Sequence, residues 1–320
     1  MQACADSANA SCTERNTCSL NSFLVDLDYG TEATCVSRTQ QTCVNALSAK
    51  GTGTTAATIE ACVAAYPSYT CTAFYEDAPP TACVPPAGTL ATGAACGASA
   101  QCASTYCATG AYAVCGTCQP LPVAGAACQV DADCGRNLSC TKAAGSTTMT
   151  MGVCTAWIAS GGACLTGTST CAPGLACVGD DVTTKTMGMC ATQGATVNAA
   201  CDADRKTAAN CSGDLGLICV PAAKTSGVGT CQAITLAMPG QPCGDVGAAP
   251  ITGYAECQLG FCQKAATTDT MGTCVANIAD EAACSTDPTT APCGTPAKCV
   301  PSSAGSMTGT CTLPNASTCM

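Results

Sequence analysis

Histidine is absent from this chain, aromatic residues make up 3% and charged residues 10%. Without an imidazole, the commonest general base and metal ligand are both missing. A serine nucleophile would need Lys or a carboxylate as its partner, and no serine motif stands out. Long aliphatic and aromatic side chains are equally scarce, with three Phe and one Trp in 320 residues. A single large hydrophobic core is therefore excluded, although Ala and Cys raise the hydrophobic fraction to 47%. No segment approaches the ~20 apolar residues of a membrane span. Positive charge is thin as well, 11 Lys and Arg against 21 Asp and Glu, for a net charge of −10. Such a balance disfavours nucleic acid and anionic lipid as partners.

What fills the space is cysteine, 34 residues of it. A fraction above one in ten marks a disulfide scaffold, in which crosslinks replace the missing core. Disulfides on this scale form in an oxidising compartment, so the chain is expected to be extracellular or displayed on a cell surface. The opening residues have neither a basic n-region nor an apolar h-region, which implies a leader already removed. Gln2-Ala3-Cys4 is similar to the end of a lipoprotein signal, but lipidating Cys4 would leave an odd number of thiols.

Residues 1–90 read as a small helical domain pinned by Cys4, Cys12, Cys18, Cys35, Cys43, Cys62, Cys71 and Cys83. Helices are expected over Ala3–Cys12, Glu32–Ala49 and Thr58–Tyr66, with Gly51, Gly53 and Pro67 as stops and Ser68–Phe74 extended. Pro79-Pro80 and Pro85-Pro86 mark a stiff linker.

From Gly93 the chain repeats, and residues 91–320 divide into six units at about 93–124, 125–160, 161–197, 198–239, 240–280 and 281–320. Each carries four cysteines. They are Cys96, Cys102, Cys107 and Cys118; Cys128, Cys134, Cys140 and Cys154; Cys164, Cys171, Cys177 and Cys190. The last three units have Cys201, Cys211, Cys219 and Cys231; Cys243, Cys257, Cys262 and Cys274; Cys284, Cys293, Cys299 and Cys311. Third and fourth cysteines stand 11, 14, 13, 12, 12 and 12 residues apart. Between them the sequence alternates and turns, as in Cys299-VPSSAGSMTGT-Cys311, which predicts a β-hairpin. Gly152, Gly188, Gly229, Gly272 and Gly309 fall two residues before the fourth cysteine, where a bulge or a close backbone approach needs no Cβ.

The opening residue is Gly93, Gly125, Gly161 and Gly240, but Asn198 in the fourth unit, which points to a turn with positive φ. Glu281 breaks that rule in the sixth. Four cysteines allow three connectivities; first-to-third with second-to-fourth is preferred, because it ties both hairpin strands to the preceding loop. Units of 32 to 42 residues stacked on their neighbours predict an elongated rod.

In the second unit, Gly125-AA-Cys128-QVDAD-Cys134-GRNLS-Cys140 resembles the Dickkopf-type N-terminal cysteine-rich module. Asp131, Asp133 and Cys134 carry the match, and the other units share only the cysteine frame. The layout of a helical head followed by several such modules is similar to cysteine-rich surface proteins of myxobacteria and their relatives. The resemblance implies fold and secretion; nothing matches the second cysteine-rich domain of the Dickkopf family, so no receptor role follows from it.

Cys115-Gly-Thr-Cys118 is formally a redox CxxC pair, but Cys118 belongs to the repeat frame. No second CxxC lies at finger spacing, so no metal and no cofactor is expected. The pairs Asp26 and Asp28, Asp131 and Asp133, Asp180 and Asp181, and Asp202 and Asp204 read as turn carboxylates capping local amides. Asn9, Asn137, Asn210 and Asn315 each head an Asn-x-Ser glycosylation sequon, with Cys211 hindering Asn210.

Helical region and units leave Cys115 and Cys319 over: each pairs inside its own chain or, on the sharper reading, they are the candidates for an intermolecular disulfide between identical chains. Tyr66, Tyr69, Phe74 and Tyr75, the densest aromatic cluster, are the candidate partner contact. The expectation is a non-enzymatic extracellular structural protein, a filament-forming rod whose partner is itself. The alternative is a surface binding module for an extracellular protein or glycan, with the helical domain as its recognition head.

Overall fold

The computed structural model describes the chain except for residues Gln129, Arg136, 143–149, 224–225, 248–250, Thr267 and Met320. Five helices come first: α1 (Gln2–Thr17), α2 (Phe23–Tyr29), α3 (Glu32–Leu47), α4 (Ala56–Ala65) and α5 (Cys71–Tyr75). Cysteines eight residues apart on α1 and again on α3 pair as Cys4–Cys43 and Cys12–Cys35. Eight residues is about two turns, so both bonds leave the same helix face and clamp an antiparallel hairpin. Cys18–Cys71 fastens α5 to the end of α1, and Cys62–Cys83 fastens the proline-flanked segment to α4.

Two helical expectations need correction. Residues expected to be extended contain α5, because the Thr70 side chain accepts from the Ala73 N–H and starts a turn there. Helix α2 was not foreseen, though its buried Val25 and Tyr29 stand at helical spacing.

All six units share one plan. Three short antiparallel strands carry the first, third and fourth cysteines, and the strand with the fourth lies in the middle. In the fourth unit these strands are Ala200–Asp202, Leu217–Pro221 and Val228–Ala233. The expected hairpin is the pairing of third with fourth cysteine, Cys219↔Cys231 and its equivalents. The first cysteine lies opposite the closing glycine in every unit, from Cys96↔Gly116 to Cys284↔Gly309. There a Cβ would sit 1.9 Å from the Val220 carbonyl oxygen at Gly229 and 2.0 Å from that of Val300 at Gly309. Close approach is thus the reason for this glycine. The fifth unit adds two strands, since Gly253–Cys257 fits into its longer first-to-second cysteine segment and Thr235–Ala237 pairs parallel to it.

Disulfides run first-to-third and second-to-fourth in all six units. Each unit's core is little more than these two bonds; in the fourth it is Cys201, Cys211, Cys219 and Cys231 with Leu217. The total accessible surface is 15659 Å², against roughly 12,000 Å² for a compact monomer of this mass. Many small cores, each local, account for the excess.

The opening residue of every unit has positive φ, from 65° to 91°. Its N–H donates to the fourth-cysteine carbonyl at 2.7–2.8 Å, and that cysteine's N–H returns a bond to the next residue's carbonyl at 2.8–2.9 Å. Glu281 (φ 65°) is no exception in backbone: it adopts the glycine conformation and keeps the same hydrogen bond to Cys311.

The units are stacked along the chain, but the stack does not run out as a free rod. It curves until its first and last units meet, and the helical region bridges the arc. Gln101 of the first unit, 1% exposed, donates from Nε2 to the Lys50 carbonyl and accepts from the Gly97 and Ala98 N–H groups. Residues 258 and 259 of the fifth unit donate to the Gly30 and Leu27 carbonyls flanking the end of α2. Arg38 on α3 makes a bidentate ion pair with Asp280, the last residue of the fifth unit, at 2.9 and 3.0 Å, and donates to the Gly294 carbonyl of the sixth at 3.1 Å.

Candidate functional site

The seam where the arc closes brings together the two cysteines left over from the repeat frame. Cys115 and Cys319 are joined to each other within one chain, with Cα atoms 5.3 Å apart. This corrects the expected intermolecular disulfide: both sulfurs are consumed where the sixth unit returns to the first, and no cysteine is free. Around the bond, Lys298 Nζ donates to the Ala113 carbonyl at 3.2 Å and Tyr112 Oη to the Thr286 carbonyl at 3.4 Å. Burial lowers the Lys298 pKa from its ordinary value.

Between α2, α3 and the last two units lies a cleft of about 530 Å³, lined by Tyr29, Met238, Leu259, Ile278, Asn277 and Arg38 among others. The Arg38 guanidinium is already committed, to Asp280 and to the Gly294 and Thr295 carbonyls. Asp28, paired with Arg15 at 3.3 Å, has its pKa raised because burial outweighs that ion pair. Asn277 also lines the cleft, but its Oδ1 is shielded from solvent and has no hydrogen-bond partner.

The aromatic cluster forms an edge-to-face chain, with ring centroids 5.9 Å (Tyr66–Tyr69), 6.0 Å (Tyr69–Phe74) and 5.4 Å (Phe74–Tyr75) apart. All four side chains are half-buried. Tyr75 Oη donates to the Cys18 carbonyl and faces the Asp214 carbonyl at 3.2 Å, so this ring ties the helical region to the fourth unit. Burial first, and the nearby Asp214 charge second, push its pKa up to about 12. The hydroxyl of Tyr75 is thus engaged within the chain.

The sequons differ in access. Asn9 is exposed on α1, with Nδ2 donating to the Ala5 carbonyl. Asn137 is exposed with φ 59°, but Ser139 of its sequon is buried. Asn315 Oδ1 accepts from the N–H and hydroxyl of Ser317, a half-buried Asx turn. The Asp pairs mostly cap local amides: Asp181 accepts from Thr183 and Thr184, and Asp202 from Asp204, Lys206 and Thr207. Those backbone donors hold both carboxyls below their usual pKa. Asp131 and Asp133, which carry the Dickkopf-type resemblance, cap the turn before the second cysteine through the Cys140 and Val130 N–H groups.

Sequence reasoning missed one repeated surface. On the face of each sheet opposite its disulfides, a residue beside the first cysteine pairs with one beside the fourth: Ala95↔Thr117, Ala127↔Val153, Ala163↔Met189, Ala200↔Thr230, Pro242↔Thr273 and Ala283↔Thr310. All twelve are exposed and uncharged. The period-2 alternation about the fourth cysteine is the signal that would have shown it.

Among known proteins, no family model, no curated protein and no solved structure matches the chain. What stands is a heavily disulfide-bonded repeat protein, consistent with an extracellular location, in which no described helix is long and apolar enough to cross a membrane.

Proposed function

We propose that this chain is a non-enzymatic extracellular structural protein, a disulfide-locked building block of a surface layer or filament. The observation that carries this reading is the pairing of all 34 cysteines inside the chain, the last pair closing the arc. A scaffold fixed at every unit keeps its shape under mechanical and proteolytic stress without a large core. Assembly then runs through surface contact, since no thiol remains to bond a neighbour. The uncharged sheet faces let copies approach with little repulsion. Negative-stain electron microscopy of the purified, unreduced protein tests the reading. Regular fibres or sheets are expected, and dispersed single particles at high concentration would refute it.

The cleft favours a second reading, a binding module for an extracellular protein or glycan. Its walls combine apolar side chains such as Met238, Leu259 and Ile278 with a few polar groups, the make-up of a ligand site. Under this reading Met238→Asp, which puts a charge in the apolar wall, abolishes capture of a glycan or protein ligand while leaving all 17 disulfides formed. A ligand retained by that variant places binding elsewhere.

A further inference from the structure

The Cys115–Cys319 bond differs from the other sixteen in three independent respects. It spans 204 residues, whereas the others span 11 to 53. Those sixteen hold the inside of the helical region or of one unit, and this one alone holds the two ends of the arc together. Cys115 is also the single exposed cysteine; the remaining 33 are buried or half-buried. Its place in the repeat explains why. Cys115 immediately precedes the closing glycine, at the position that carries the exposed Met151, Met187, Val228 and Met271 in the next four units. Side chains there leave the sheet on the face opposite the unit's own disulfides.

We propose that Cys115–Cys319 is an exchangeable clasp, a site at which a low-molecular-weight thiol reacts and reversibly opens the arc. Exchange needs a thiolate to reach a disulfide sulfur, so access decides which bond reacts first. The attacking thiolate bonds to the Sγ of Cys115, the exposed partner of the buried Cys319, and the Cys115–Cys319 bond breaks. Cys319 leaves as a thiolate and takes a proton from water, and Cys115 carries a mixed disulfide. A second thiol attacks that mixed disulfide, releases the Cys115 thiolate and departs as the symmetric small-molecule disulfide. Reoxidation by such a disulfide runs the same two steps in reverse. Once open, the first and sixth units are held directly by neutral-acceptor hydrogen bonds such as those of Lys298 and Tyr112. Within each unit both disulfides persist, so the protein changes its closure and keeps its fold.

The test is a time course of the folded, unreduced protein with millimolar reduced glutathione, quenched by alkylation and mapped by peptide mass spectrometry. Cys115 and Cys319 are expected to be modified at least tenfold faster than any other cysteine, with the glutathione adduct on Cys115. In the Cys115→Ser, Cys319→Ser double variant that early phase disappears, and the rates of the remaining bonds stay unchanged. Another pair opening first, all pairs opening together, or an early phase that survives in the double variant would each overturn the proposal.

Discussion

Replacing Glu281 by glycine should stabilise the sixth unit, and the size of the gain follows from backbone geometry. Glu281 has φ 65°, in the region where the other units use Gly93, Gly125, Gly161, Asn198 and Gly240. An L-residue held there costs about 1–2 kcal/mol relative to glycine, through the contact of Cβ with its own backbone. Glycine gives back about 0.4–1 kcal/mol through the greater freedom of the unfolded chain. The difference is a net gain of about 0.5–1 kcal/mol, or about two- to fivefold in a local opening equilibrium. Nothing offsets it, because the Glu281 side chain is exposed and forms no ion pair among the described residues. The four glycines at this position have nothing within 4 Å of an added Cβ, so steric crowding does not contribute.

Units of a repeat protein open semi-independently, so the assay is native-state hydrogen exchange and not a single global transition. Exchange at the amides of residue 281 and Cys311, which anchor the turn, should slow about two- to fivefold in Glu281→Gly. Glu281→Asn should fall between, and Gly125→Ala should speed exchange in the second unit by a similar factor. Equal slowing in Glu281→Ala and Glu281→Gly would refute the reasoning, since alanine removes the carboxylate without relieving φ.

Three further outcomes follow from the same geometry. Gly229→Ala places a Cβ 1.9 Å from the Val220 carbonyl oxygen, so the two strands must part at a cost of about 1–3 kcal/mol, read as loss of exchange protection confined to the fourth unit. Gln101→Ala strands the Gly97 and Ala98 N–H groups and the Lys50 carbonyl, which costs about 2–3 kcal/mol and should appear as faster proteolysis between residues 50 and 100. Tyr75 keeps its proton to about pH 12 in the folded protein while a free tyrosine loses it near 10. The contribution of Tyr75 to stability is therefore level below about pH 10 and is lost between about 10 and 12. In Tyr75→Phe that fall is shallower in denaturant titrations, and an unchanged slope would contradict the Tyr75 environment.

Cysteine and glycine spacing made the repeated half of the fold legible. Four cysteines per unit left three connectivities open, and the preferred one, first-to-third with second-to-fourth, holds in every unit. The glycine before each fourth cysteine signalled a close approach that the register supplies. Helices α1, α3 and α4 followed from periodicity and their glycine and proline stops, whereas α5 depends on a Thr70 cap that outweighed the extended look of its sequence.

The candidate sites were legible only as residues, not as neighbours. The cleft between α2, α3 and the last two units gave no signal, because its lining residues come from distant parts of the chain. Tyr75 read as a free aromatic until the fourth unit was placed against it. Composition and spacing by themselves determined the disulfide scaffold, the six units and their turns. Only the tertiary structure decided that the stack bends back, that Arg38 meets Asp280 and that Cys115 meets Cys319. The physical reason is range: a repeat fixes geometry within and between adjacent units, whereas the meeting of its ends depends on small unit-to-unit rotations summed over the whole chain.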